Sequence, residues 1–265
     1  VGYYLQGYFP FKEIYHDCEV IQWAEGNCRY RKIITPYGEL KECWEYMETT
    51  FSEAPVEHLM KSEDDIPAMI YFYDHISYEP DYTFAETRNR QIGDQGASLC
   101  YLPKSPFMQL VALDAGIMTV TILAYSAPER FEELLASMKR SFDQAAQIAV
   151  NSPAELLMIP ENLSSEMVGE MFFEKYMKDY QVEWTTKIRE AGKYSFIHID
   201  GTLKGLLKQE SLVGFSVLEA LTPSPVGDMS IHEMIPMLEE SKSIFWGGIP
   251  GVYFTSHVSD DLTVM

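Results

Sequence analysis

From residue 95 onward, short apolar runs alternate with longer stretches in which apolar residues recur every three or four positions. The short runs are SLCYLP at 98–103, ELLMIP at 155–160, YSFIHID at 194–200, FSVLEAL at 215–221 and SIFWG at 243–247, and each reads as a strand. Strands that alternate with helical stretches predict a parallel sheet. The helical stretches carry their own start and stop signals. Ser126 with Glu129 reads as a capping box opening a helix to about Val150, in which Leu134, Leu135, Met138 and Phe142 share a face. A second helix is expected to begin near Ser164 or Ser165, to bury Phe172, Tyr176 and Ile188, and to stop at Gly192 as a left-handed cap. A third has Ser230 at its N-cap and Glu233 three residues on.

Before residue 95 the pattern differs. CEVIQWAE and CRYRKIIT flank Gly26-Asn27, and GELKECWEYM follows Pro36-Tyr37-Gly38, which predicts a small antiparallel meander over 18–47. Short helices are expected around PVEHLMK and DDIPAMIYFY. Five parallel strands do not close a barrel, but the GxGxxG turn of a doubly wound open sheet occurs nowhere. The expected fold is therefore α/β: a (β/α)8 TIM barrel forming one domain over 1–265, with a small antiparallel meander near its N-terminus. Its remaining strands would lie before Val1, among residues 1–95, or beyond Met265.

In such a barrel the reacting groups stand at the C-terminal ends of the strands. Those ends carry Glu161 and Asn162, then His198 and Asp200, then Glu219 and Thr222, then Trp246, Gly247 and Gly248. Strand alternation puts His198 and Asp200 on one side, with Ile197 and Ile199 on the other. Polar groups clustered there would be costly to bury without partners, a cost accepted chiefly at a site. The expected catalytic residues are His198, Asp200 and Glu219, with Glu161, Asn162, Trp246 and Gly247 contacting substrate. His16, His58, His75 and His232 read as surface positions, and His257 can face either way.

Charge narrows the partners. Twenty Lys and Arg against forty Asp and Glu give a formal charge of -20, which repels nucleic-acid phosphates and anionic lipid heads. No apolar run reaches the roughly 20 residues of a membrane helix. Cys18, Cys28, Cys43 and Cys100 show no CxxC spacing, so reduced thiols are expected. The first residues, VGYYLQGYFPF, have no initiator Met and no basic region before an apolar core, which implies a start inside a larger protein. No GxSxG, Walker, HExxH or EF-hand pattern is present.

Six segments carry a family resemblance: TPYGELKE at 35–42, PVEHLMKSEDDIPAM at 55–69, PENLSSE at 160–166, AGKYSFIHIDGTLKGLL at 191–207, EALTPSPVGDMS at 219–230 and FWGGIPG at 245–251. Together they resemble the uroporphyrinogen decarboxylase superfamily, which includes corrinoid-dependent methyltransferases. The resemblance implies the (β/α)8 barrel, a cytoplasmic enzyme, and family segments missing from both ends. Methyltransferase members bind zinc through an HxC pair and a later cysteine, and the similar cobalamin-independent methionine synthases add a glutamate. The matching positions are His198, Asp200 and Glu219, so zinc or another divalent metal is implied there, although Asp200 replaces the soft thiolate and no cysteine follows Cys100.

Decarboxylase members hold a polycarboxylate through an N-terminal arginine motif, which this chain lacks. None of its seven arginines, Arg29, Arg31, Arg88, Arg90, Arg130, Arg140 and Arg189, closes a strand. An acidic mouth favours methyl transfer between a corrinoid carrier and a small acceptor over decarboxylation of a porphyrinogen, a lyase reaction of porphyrin metabolism. A barrel that binds ligand without chemistry is the third reading. The partners implied are a small-molecule substrate, a corrinoid-carrying protein and a second copy of the chain, with neither nucleic acid nor membrane.

Overall fold

A computed structural model describes residues 8–247. Gly248 and His257 lie outside the described residues. Contacts divide the chain into two compact units: Phe9–Arg88 with Pro103–Pro153, and Asn89–Leu102 with Ala154 onward, the latter including Tyr8.

The first unit opens with β1 (Phe11–Tyr15), β2 (Glu19–Glu25), β3 (Cys28–Thr35), β4 (Gly38–Met47) and β5 (Ser52–Glu57). Strands β2 to β5 form the expected meander, lengthened by a fourth strand, in the order β2-β3-β4-β5. The helix expected at PVEHLMK is absent. Pro55 and Val56 lie in β5, where Pro55 pairs with Trp44, because a β-rich edge was open beside β4. Helix α1 (Ile66–Asp74) is as expected and leads into β6 (Ile76–Pro80), which pairs antiparallel with β1. Helix α2 (Thr83–Ile92) then leads to β7 (Leu99–Tyr101) of the second unit.

Helices α3 (Pro106–Gln109), α4 (Gly116–Ser126) and α5 (Pro128–Val150) complete the first unit. Helix α5 ends where the sequence predicts, but its capping box does not form. Ser126 closes α4, and the N-cap is Ala127 with Pro128 behind it, since proline satisfies the first turn without a side-chain acceptor. The buried face includes Phe131, Leu134, Met138 and Phe142. His58 is half-buried, its Nδ1 2.7 Å from the Leu113 carbonyl, so it is not the surface residue expected.

The second unit adds β8 (Leu156–Leu163), α6 (Glu170–Phe172), α7 (Lys178–Glu190), β9 (Tyr194–Ile199), α8 (Leu207–Ser211), β10 (Val217–Leu221), α9 (Ile231–Ser241) and β11 (Ile244–Gly247). All five strand expectations are met, in one parallel sheet of order β11-β10-β9-β8-β7. Beyond β7, Tyr8 makes a single parallel bridge to Cys100. The fold is thus mixed α/β, with a five-stranded parallel sheet and antiparallel sheets among the described residues.

The face expected on the second helix is shifted by one residue. Phe173 and Met177 are buried, in place of Phe172 and Tyr176, because a π-turn over Phe173–Met177 rotates what precedes α7. Ile188 is buried, Gly192 has φ +72° as a left-handed cap, and Ser230 with Glu233 forms the expected capping box of α9.

No helix among the described residues is long and apolar enough to cross a membrane. Cys18 and Cys28 are partly exposed, Cys43 and Cys100 are buried, and all four are free thiols. Thiol titration of denatured, unreduced protein should find four groups, and a lower number would show a bridge that this arrangement does not contain.

Candidate active site

The candidate site lies wholly within the second unit and is set by strand register. Parallel pairing places Glu219 beside His198 and Trp246 beside Glu219, so one row crosses β9, β10 and β11 at their C-terminal ends. Two residues earlier on the same side stand Phe196 and Val217, which with Leu99 and Met158 form a buried apolar cluster. The polar row therefore rests on an apolar floor. The Trp246 ring packs 6.2 Å from Phe196 and is 44% exposed, which leaves an aromatic surface at the rim.

His198 and Glu219 meet directly, with Nδ1 2.5 Å from Glu219 Oε2. Asp200, about half exposed, has Oδ2 3.8 Å from Nε2. At that separation Asp200 acts on the ring and favours its protonated form. Burial lowers the basicity of His198, yet Asp200 and Glu219 together outweigh it and hold the imidazolium to a pKa of about 9. Tyr101, at the end of β7, is affected by the same group: burial first, then the Glu219 charge, raises its phenol above the ordinary value. Sequence alone did not single out Tyr101, which lies inside the SLCYLP run two residues before Pro103.

The backbone is irregular on both sides of His198. Register shifts between Ile159 and Leu163 in β8 and between Glu219 and Leu221 in β10, and at these bulges Asn162 has φ +53° and Ala220 φ +66°. A left-handed conformation at a residue with a β-carbon is uncommon and persists where surroundings enforce it, frequently next to functional groups. Bulges re-aim side chains, and the one after Glu219 lies where its carboxylate meets His198. The loop after β9 is tied to the loop after β8 through Thr202 Oγ1, 3.0 Å from Ser164 Oγ and 2.9 Å from Ser165 Oγ. Gly201 makes that approach possible, because φ is +84° and an added Cβ would stand 3.3 Å from Ser164 Oγ.

The other expected site residues are placed individually. Glu161 is fully buried, and its charge acts on Glu210 of α8. Asn162 is exposed at the bulge. Gly247 ends β11 opposite Leu221. As placed, the His198 group does not fit a bound metal. Among the described residues no set of three or more His, Cys, Asp or Glu side chains is placed to hold an ion.

The raised His198 pKa carries a linkage consequence. The folded state binds this proton more tightly than the unfolded chain, so the contribution is complete below pH 6.5 and is lost as pH rises through about 9. Its size is up to about 3 kcal/mol. Following the imidazole C2 proton by NMR should give a midpoint near 9. A midpoint at the ordinary histidine value would mean that the two carboxylates do not act on the ring.

Residues 99–228 match the family model described as Uroporphyrinogen decarboxylase (URO-D). No curated protein matches the chain in sequence. Among solved structures, a methyltransferase from Methanosarcina mazei superposes with a TM-score of 0.45 at 12% identity, over 64% of this chain and 50% of that one. The chain thus spans about half the length of that structure.

Proposed function

We propose that the protein, whose residues 99–228 match the family model described as Uroporphyrinogen decarboxylase, is a (β/α)8-barrel enzyme of that family transferring a methyl group from a corrinoid on a partner protein to a small acceptor. In this reading 1–265 is one barrel domain and the five parallel strands are part of its wall. The observation that carries the proposal is the His198 group: an imidazolium fixed by Glu219, faced by Asp200, at strand ends between two bulges.

When bound, a methylated corrinoid supplies an electrophilic methyl group, and the acceptor gives up a proton as the new bond forms. Asp200 is suited to take that proton, being half exposed and 3.8 Å from Nε2, so that one polar atom of the acceptor can touch both. His198, held through Nδ1 by Glu219, presents Nε2 to the acceptor and orients it. Phe196, Met158 and Val217 exclude water from below. The two carboxylates outnumber the one imidazolium, which suits a neutral or cationic acceptor and disfavours a polycarboxylate.

One observation favours a second reading, porphyrinogen decarboxylation. An imidazolium that keeps its proton to a pKa of about 9 could deliver it to the carbon left when carbon dioxide departs. The Asp200→Asn variant separates the two. Methyl transfer with Asp200 as proton acceptor predicts a turnover loss of about 10²-fold with little change in KM. Decarboxylation with His198 as donor predicts carbon dioxide release that persists in the variant. An acceptor that binds but is never methylated, with no carbon dioxide released, would leave a ligand-binding barrel and reject both.

A further inference from the structure

The unit formed by Phe9–Arg88 and Pro103–Pro153 contains a cavity of about 120 Å³ that the proposed reaction does not use. Its walls are largely aromatic: Phe9, Phe11, Phe72, Tyr78 and Phe142. Phe11 meets Tyr78 edge to face at 5.4 Å. The charged side chains lining it are the cationic Arg31 and Lys104 and the anionic Glu13, which accepts from the Tyr15 hydroxyl at 2.6 Å. Cations therefore outnumber anions on its surface.

Arg31, on β3, is built into place. Its side chain is 20% exposed, and Nε donates to Glu42 Oε1 at 2.8 Å. Burial works against its charge, but Glu42 and the buried Asp114 more than compensate, so the guanidinium stays charged. Asp114 is fixed in turn by the Tyr73 hydroxyl and by Gln109 Nε2 at 3.2 Å. With Nε engaged by Glu42 and the Tyr15 hydroxyl as a further hydrogen-bond partner, the remaining terminal N–H groups are what Arg31 can offer a carboxylate. Arg31 also borders the aromatic hollow.

We propose that the cavity is a binding site for a small aliphatic carboxylate, its head on Arg31 and its chain between the aromatic walls. An apolar cavity of about 150 Å³ takes benzene, so this one admits a ligand of roughly six heavy atoms. The inference stands independently of the reading of His198. Butyrate is the probe, with 1-butanol and butylamine as neutral and cationic controls of similar size, titrated into the full chain by calorimetry.

Butyrate should bind with a Kd of about a millimolar or tighter, and both controls at least about tenfold more weakly. Arg31→Lys, which keeps the charge and loses the guanidinium N–H groups, should weaken butyrate about tenfold. Should that variant not fold, Leu113→Trp, which fills the cavity without touching a charge, should abolish binding. Equal affinity for all three probes, no butyrate binding at about 50 mM, or unchanged affinity in a folded variant would each overturn the proposal.

Discussion

Glu219→Gln is expected to lower turnover by about 10²- to 10³-fold while leaving the protein folded. The substitution is isosteric and its amide oxygen can still accept from Nδ1, so the packing around His198 is retained. What is lost is the negative charge 2.5 Å from the ring. With burial then opposed by Asp200 alone, the His198 pKa falls from about 9 toward or below the ordinary histidine value. The ring becomes neutral across the working pH range and its hold on the acceptor weakens. Steady-state kinetics and an NMR titration of the same sample are the two measurements. A fall in the pKa without a fall in turnover would make the His198 and Glu219 pair a structural one.

Glu210→Gln should stabilise the protein. Glu210 on α8 is fully buried, and its pKa is raised to about 8, chiefly by burial and further by the charge of Glu161, with the Gln181 amide offsetting part. Gln181 Nε2 donates to its Oε1 at 3.0 Å, while among the described residues Glu210 Oε2 and Gln181 Oε1 have no hydrogen-bond partner. Below pH 4.5 both folded and unfolded forms are protonated and the carboxyl costs nothing. Between 4.5 and 8 the unfolded chain ionises and the native state does not, so stability falls with rising pH. At pH 7 the penalty is about 3 kcal/mol. A glutamine keeps the acceptor and supplies a donor, so a gain of about 2 to 3 kcal/mol at pH 7 is expected, seen as a rise in Tm of several degrees. The gain should shrink at pH 5.5. A variant less stable than the parent at every pH would show that the buried carboxylate is held by contacts other than these.

The parallel sheet was legible because β7 to β10 are buried along most of their length, which makes YSFIHI and VLEAL mostly apolar runs between helical stretches. The same periodicity put His198 and Asp200 on one side, and the strand-end reading marked Glu219, which register places beside His198. Periodicity could not show the irregular backbone. A bulge inserts one residue without any composition change, so the left-handed Asn162 and Ala220 read as ordinary strand. The π-turn before α7 hid in the same way, moving the buried face from Phe172 and Tyr176 to Phe173 and Met177. The helix expected at PVEHLMK failed because helical propensity is a weak prior beside an open sheet edge. Glu210 passed unnoticed since nothing local marks a carboxylate in a short helix as buried.

If the His198 group carries the proposed methyl transfer, demethylation of methylcobalamin, followed by its absorbance, will depend on the acceptor. With a panel of small neutral and cationic thiols and amines, the account predicts that at least one accelerates demethylation, that the methyl group is found on it by mass spectrometry, and that Glu219→Gln removes the acceleration. Demethylation at the uncatalysed rate with every acceptor, while the same sample releases carbon dioxide from a porphyrinogen, would contradict it.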